Sequence, residues 1–441
     1  MIAVAKRSIG SRIETGLGCF GIIALAVTLA IVFKWNPWLE AREWLDERTS
    51  TLSEPKGAWT QRVAGTPDAA GITDTAVVAF MGDMVESRAR NNGEFKWRKE
   101  TDWAALAGTS TVLVSKVSGK GFDAVDALSG STKWTDPDGD GAWTYRDAVL
   151  TVDCPKGGAC TIANRDPDSG AVRWKVPMGG TNRALYGGNS GRSAPRNLDE
   201  RWNDVRHANP LPMPRYLGYL VERKLHVVDT AAGRKLREET VPNDSRAVVA
   251  ANRIVRVAGS VISTGCRIVV SGRDPGSGQQ AWQKDGYDLR TTGGAGCEPR
   301  NDPPGGGTAL IATRLDQRQV LLSAVDGREL AVANPGETIL GTDGQVGVVR
   351  AGDGKKIRGL RLDGGGQAWA RDVQSSAKVG VTPYAIFITD AAVGRVIAVD
   401  AASGQVRLDV KTGAEVVGVH PDGVVLGRGR TIGFSSFSGS G

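Results

Sequence analysis

Histidine is scarce in this chain, with three residues (His207, His226 and His420) in 441. That argues against catalysis by a multi-histidine metal centre. No H-E-x-x-H, no P-loop and no G-x-S-x-G ahead of a helix occurs, so three familiar hydrolytic and nucleotide chemistries have no foothold. A helical hydrophobic period is absent beyond residue 50. There is no dense Lys/Arg block. The formal charge is +7, of which residues 1–34 carry +3 (Lys6, Arg7, Arg12 and Lys34 against Glu14). The remainder is weakly basic over some 400 residues, which excludes a nucleic-acid role. Phe (8) and Tyr (6) are both outnumbered by Trp (12), an inversion that asks for a structural cause. Glycine, at 59 residues, is about twice its usual share but has no G-x-y period, which removes collagen and leaves many tight turns. With 40% apolar and 23% charged residues the chain is globular, long enough for two or three average domains or one large all-β domain.

Residues 16–33 (GLGCFGIIALAVTLAIVF) hold no charge. As a helix, 18 residues rise about 27 Å, close to the hydrocarbon thickness. Lys6, Arg7 and Arg12 precede the run and Trp35 and Trp38 follow it, which predicts a cytoplasmic N-terminus. A cleaved signal peptide is the competing reading; the run is long for one and no A-x-A-like site follows. Cys19 stands at the start of the run, unlike a lipoprotein cysteine. The prediction is therefore residues 1–15 cytoplasmic, 16–34 an uncleaved signal anchor, 35–56 a juxtamembrane linker with a short helix at 37–48, and 57–441 an ectodomain at the cell membrane. Four of the five cysteines then lie in an oxidising space. There is no C-x-x-C, and of the three possible pairings Cys154–Cys160 and Cys266–Cys297 are favoured.

A repeat runs through the ectodomain. DALSGSTKW (126–134), DPDSGAVRW (166–174), DTAAGRKLR (229–237), DPGSGQQAW (274–282) and DAASGQVRL (400–408) align as Asp, three residues, Gly, three residues, then Trp or an aliphatic residue. NNGEFKW (91–97), LDGGGQAW (362–369) and the shortened SAVDGREL (323–330) are further copies. The conserved-position residues are Gly93 and Trp97; Asp126, Gly130 and Trp134; Asp166, Gly170 and Trp174; Asp274, Gly278 and Trp282; Trp369; Asp400 and Gly404. The period is about 40 residues, and each copy follows alternating β-like runs. The Asp accepts turn amides, the Gly supplies positive φ, and the Trp covers the joint between neighbouring sheets. A period near 40 with about four short strands per unit predicts an all-β fold, a β-propeller behind a single transmembrane helix. GAW (57–59) stands early and no motif turn follows 423–437, so the strand near Trp59 is expected to complete the last blade. The expected count is eight blades, with seven and nine compatible.

These D-x-x-x-G-x-x-x-W units resemble the PQQ-type propeller repeat, the quinoprotein-like and BamB-like family, over roughly residues 57–437. The Ala/Gly/Arg/Val/Asp-rich composition is similar to that of a high-GC bacterium. The resemblance implies a fold more than an activity. In dehydrogenases of this family a quinone sits with calcium inside the ring beside an Asp base; no adjacent cysteine pair and no Glu–Asn–Asp calcium set align here. No catalytic and no cofactor-binding residue is assigned, and no cofactor is expected apart from a structural calcium. That calcium would sit in DPDGDGAWTYRD (136–147), where Asp136, Asp138, Asp140 and Asp147 have calcium-loop spacing. An acidic surface turn explains the same residues. Two loops stand out for binding: an insertion at about 179–214, and GGAGCEPRNDPPGGG (293–307), stapled through Cys297. The expected function is a membrane-anchored, non-catalytic scaffold for cell-envelope proteins or polymers. The alternatives are a PQQ-dependent oxidoreductase and a ligand-sensing ectodomain; the oligomeric state is left open.

Overall fold

Short β-branched runs separated by Gly- and Asp-centred turns can only build antiparallel sheet, and the computed structural model shows sheet throughout. It describes residues 59–117, 120–139, 141–155, 158–178, 209–221, 223–263, 265–289, 297 and 303–437. The expected anchor and linker (16–56), and the insertion as far as 208, lie outside these residues. Among the described residues no helix is long and apolar enough to cross a membrane.

Nine sheets follow one another along the chain, eight made of consecutive antiparallel strands and the last completed by the chain's first strand. The blades span 69–100, 104–136, 141–177, 216–240, 245–285, 287–332, 338–372, 378–411, and 415–436 together with Trp59–Arg62. First strands of neighbouring blades touch, as 69–72 does 415–420, so they line the axis and the motif strands form the rim. Blade four has three strands among the described residues, lacking an innermost one. Strand Trp59–Arg62 pairs with Thr431–Ser436 (Trp59 opposite Phe434, Arg62 opposite Thr431), so the chain's beginning completes the blade made by its end. This corrects the expected eight blades to nine. Each of the eight motif copies marks one blade's third turn, but the blade shared by the two ends has a chain break where that turn would be. It carries no motif and was missed by counting motifs.

The core is divided. Nine apolar clusters occur, each drawn from two adjacent blades; one joins Val78, Val85 and Trp97 to Leu106, Val112 and Ala127. Sequence periodicity explains this, because alternate residues of one strand serve opposite seams. The tryptophans stand at these joints. Trp59 Nε1 donates to Arg90 O (2.7 Å), Trp97 to Ala127 O (3.0 Å), Trp134 to Pro167 O (2.9 Å), Trp174 to Thr230 O (2.8 Å), Trp282 to Ala324 O (3.0 Å) and Trp369 to Ala401 O (2.7 Å). The acceptor is always the carbonyl just after the motif Asp position of the next blade. A buried indole removes about 150–250 Å² from water, roughly 4–6 kcal/mol before entropy is counted.

The turns are built to meet those rings. Asp166 Oδ1 accepts the amides of Asp168 (3.1 Å) and Ser169 (2.9 Å), and Asp274 Oδ1 those of Gly276 (3.1 Å) and Ser277 (2.8 Å). The backbone amide of Ser169, and that of Ser277, hold these two carboxyls below the usual range. Gly170 has φ +69°, and a Cβ there would lie 2.7 Å from the Trp134 ring. Glycine is thus required both by backbone conformation and by the approaching indole. The closing seam has a further lock: fully buried Glu86 pairs with Arg88 (2.7 Å) and Arg98 (2.8 Å) and accepts the Ala64 amide (3.2 Å). Removing one partner of such a pair strands the other charge.

Two glycine substitutions separate the contributions. Gly336 also has positive φ (+80°), but nothing lies within 4 Å of a Cβ there. Gly336→Ala is expected to cost about 1 kcal/mol from conformation alone. Gly170→Ala adds overpacking against the indole and is expected to cost about 2–4 kcal/mol. Urea denaturation of the two variants checks the difference; equal losses would remove the indole contact from the account.

Candidate binding face

First and third strands of a blade run in the same direction, so the turn after the first strand and the motif turn open on one face of the ring. On this face the chain closes its own channel mouth. Residue Asn209, the first described residue of the insertion, reaches blade one: its Oδ1 accepts the Ile72 amide (2.7 Å) and its Nδ2 donates to Ile72 O (3.1 Å). The carboxamide thereby satisfies the inward edge of an innermost strand as a further strand would. The following residues bind blade three, with Arg146 N donating to Leu211 O (2.8 Å) and Met213 N to Asp147 Oδ1 (2.8 Å). Arg146 Nη2 then reaches Tyr384 Oη of blade eight at 3.3 Å. Blades one, three, four and eight are therefore linked at this mouth.

Charged groups surround the plug. Arg90 pairs with Asp422 (2.8 Å) and lies 5.1 Å from the Phe434 ring centroid. His420 Nδ1 is 3.4 Å from Asp422 and accepts the Asp422 amide at 3.3 Å. Burial lowers the His420 pKa, Arg90 and Arg146 add to that, and Asp422 and Asp74 oppose it. A groove of about 550 Å³ adjoins the mouth, lined by Asp74, Arg90, Asn91, Glu94, Lys96 and Phe434 among others. Lys96 and Glu94 are paired at 3.0 Å.

The opposite face carries both disulfides. Cys154–Cys160 closes the second turn of blade three (Cα–Cα 4.2 Å), and Cys266–Cys297 ties the long second hairpin of blade five to the loop that follows it (5.3 Å). These are the favoured pairings. Hairpin strands Arg253–Ile262 and Gly265–Arg273 outreach their neighbours and expose Val261 at their tip.

The four aspartates considered for calcium have separate duties. Asp136 is buried, accepts the Gly139 amide (3.1 Å) and pairs with Arg165 (3.1 Å). Asp147 holds Met213 at the mouth, beyond the far end of strand Gly141–Thr144, roughly 13 Å away at about 3.3 Å per residue. Asp138 is exposed, and Asp140 lies outside the described residues. The structure does not bring Asp136 and Asp147 into one shell, and among the described residues no three His, Cys, Asp or Glu gather as cation ligands. The repeat residues Gly93, Trp97, Asp126, Gly130, Trp134, Asp166, Gly170, Trp174, Asp274, Gly278, Trp282, Trp369, Asp400 and Gly404 all belong to the seams. The mouth residues Asn209, Arg146, Tyr384 and His420 carry no sequence pattern that marks them; only the long insertion that contains Asn209 pointed there.

No protein-family model matches the sequence, and no curated protein matches it. Among solved structures the chain is similar to BamB from Moraxella catarrhalis, with 16% identity and a TM-score of 0.38 over 80% of this chain and 97% of that one. It is similar to the quinohemoprotein alcohol dehydrogenase ADHIIG from Pseudomonas putida HK5 (12% identity, TM-score 0.40, 87% of this chain and 76% of that one). The quinohemoprotein alcohol dehydrogenase from Comamonas testosteroni gives 12% identity and a TM-score of 0.39 over 86% of this chain and 75% of that one. The propeller itself rests on the sheet order and ring closure described above.

A pH dependence follows from the histidines. Burial also lowers the pKa of His226, which is stacked on Tyr219 with centroids 5.0 Å apart. Both groups take up a proton more readily in the unfolded chain, so their stability contribution is whole above the ordinary value of 6.5 and is lost as pH falls through the lowered folded values. Melting temperature measured from about pH 8 to about pH 5 should fall below that value, and His420→Asn should flatten the decline. A variant slope equal to the parent's would show that His420 carries none of it.

Proposed function

We propose that this chain is a membrane-anchored, extracytoplasmic β-propeller acting as a non-catalytic binding scaffold for cell-envelope proteins or polymers. The observation that carries the reading is the plug at the channel mouth. Asn209 uses both ends of its carboxamide on Ile72, and Arg146 spans to Tyr384. A ring bridged at its mouth in this way offers partners its outer surface and turns. Indole hydrogen bonds across six of the nine seams hold those turns in place, so less freedom is lost when a partner docks. The two disulfides support an oxidising compartment. The apolar run at 16–33 supports the anchor.

Photo-crosslinking in intact cells tests this. A benzophenone amino acid is placed at Val325 in the motif turn of blade six on the plugged face (44% exposed) or at Val261 on the disulfide face (77% exposed). A discrete envelope adduct from at least one site is expected, and none from either would contradict a scaffold. In parallel, the full-length chain with pyrroloquinoline quinone and calcium is expected to show no bound-quinone spectrum; a stoichiometric spectrum would favour the oxidoreductase.

A further inference from the structure

The repeat provides its own controls, because equivalent positions in different blades can be compared. The residue before the motif Asp position is arginine in three blades: Arg88, Arg165 and Arg273. Each lies on the face turned to the preceding blade, being opposite Val77, Val149 and Ile254 respectively. In two of the three seams the protein neutralises this arginine. Arg88 donates to Gly93 O (3.0 Å) and pairs with Glu86 at 2.7 Å. Arg165 donates to Gly170 O (3.1 Å) and to Thr151 Oγ1 (3.2 Å), and pairs with Asp136 at 3.1 Å.

In the third seam, between blades four and five, the counterparts of Glu86 and Thr151 are lost, and the counterpart of Asp136, Glu239, makes no ion pair with the arginines. The position of Glu86 is Ser271, and the position of Thr151 is Arg256, directly opposite Ser271. Across the seam, where Trp59 and Trp134 stand in the other two, blade four supplies Arg237. That side chain copies part of the indole's work: its Nε donates to Pro275 O (3.3 Å) and its Nη2 to Gly276 O (3.4 Å). Arg256 and Arg273 are half-buried, and the Nε of each is buried without a hydrogen-bond partner. Among the described residues none of the three arginines has an ion pair. The one carboxylate on the same face of the blade-four strand is Glu239, two positions beyond Arg237, and it makes no ion pair with them.

Register and contacts place three guanidinium groups on one seam with no ion pair among the described residues; like charges so placed repel, and a buried unpaired donor costs free energy. Guanidinium matches tetrahedral oxyanions in charge and in donor geometry. We propose that the seam between blades four and five is an anion-binding site in which Arg237, Arg256 and Arg273 take a phosphate group from outside the protein. The ligand supplies the negative charge that Glu86 and Asp136 supply in the sister seams. Arg237, Arg256 and Arg273 are each only half-buried, and either free phosphate or a phosphodiester of an envelope polymer has the required chemistry.

The test is a thermal-shift titration of the full-length chain with inorganic phosphate, and separately with poly(glycerol phosphate) at matched phosphate. Sodium chloride at equal ionic strength is the reference. At phosphate one hundred times its Kd the melting temperature should rise by about 3 °C. Arg256→Met and Arg273→Met should abolish the rise while melting, without phosphate, at or above the parent temperature, because each removes uncompensated charge. Arg328→Met, on an exposed arginine of blade six, should leave the rise intact. A response to both ligands would identify polymer-borne phosphate as an accessible source, and a response to inorganic phosphate alone would restrict the site to the free anion; either supports it. No anion-specific rise with either ligand, or a rise that survives both seam substitutions, would overturn it.

Discussion

Six of the nine seams depend on one donor and one acceptor placed across a joint: an indole N–H on the rim strand of one blade and a turn carbonyl of the next. A four-stranded sheet of this size cannot bury both of its faces alone. The Trp ring covers the joint as apolar surface, and its single polar atom must find a partner if it is to be buried there. The carbonyl after the motif Asp is held at the right place because the Asp caps its turn, and the motif glycine lets the ring approach. Asp, Gly and Trp are therefore one device divided between two blades, and none of the three has its full value without the other two.

Closure follows from the same need. The ninth blade has no motif turn, because both chain ends lie there. Phe437 takes the position after the missing Asp, its amide bonding Asp422 O at 2.8 Å as Ala127 bonds Ser110 O in blade two. Its ring packs beneath Arg407 at 4.4 Å and joins Leu408 in the last seam. On the other side, Trp59 meets the first blade. Buried Glu86 adds directional pairing where the chain must recognise its own beginning.

Fold and seams were readable because a repeat states its physical role several times over. The spacing from Asp126 to Trp134 means little once, but at 166/174 and 274/282 it marks a fixed position on a sheet. The blade count was not readable by the same means, since the blade that closes the ring lacks the mark being counted. The spacing at 136–147 did not reveal that strand Gly141–Thr144 separates Asp136 from Asp147, because a short acidic motif carries no register. The plug was out of reach because Asn209 bonds Ile72, 137 residues away in sequence, through a side chain common in any loop. The exception at Arg237 was visible as a departure from the pattern. Its meaning needed the register that places Arg256 and Arg273 beside it.

The central claim is most directly tested by amide-style hydrogen exchange at the tryptophan indoles, followed by NMR in deuterated buffer. If the seams are held as described, the Nε1 protons of Trp59, Trp97, Trp134, Trp174, Trp282 and Trp369 will exchange as slowly as the inner-strand amides and be released together at global unfolding. Indoles exchanging at the rate of free tryptophan while the inner strands stay protected would mean that the joints are open in solution, and that something else holds the ring.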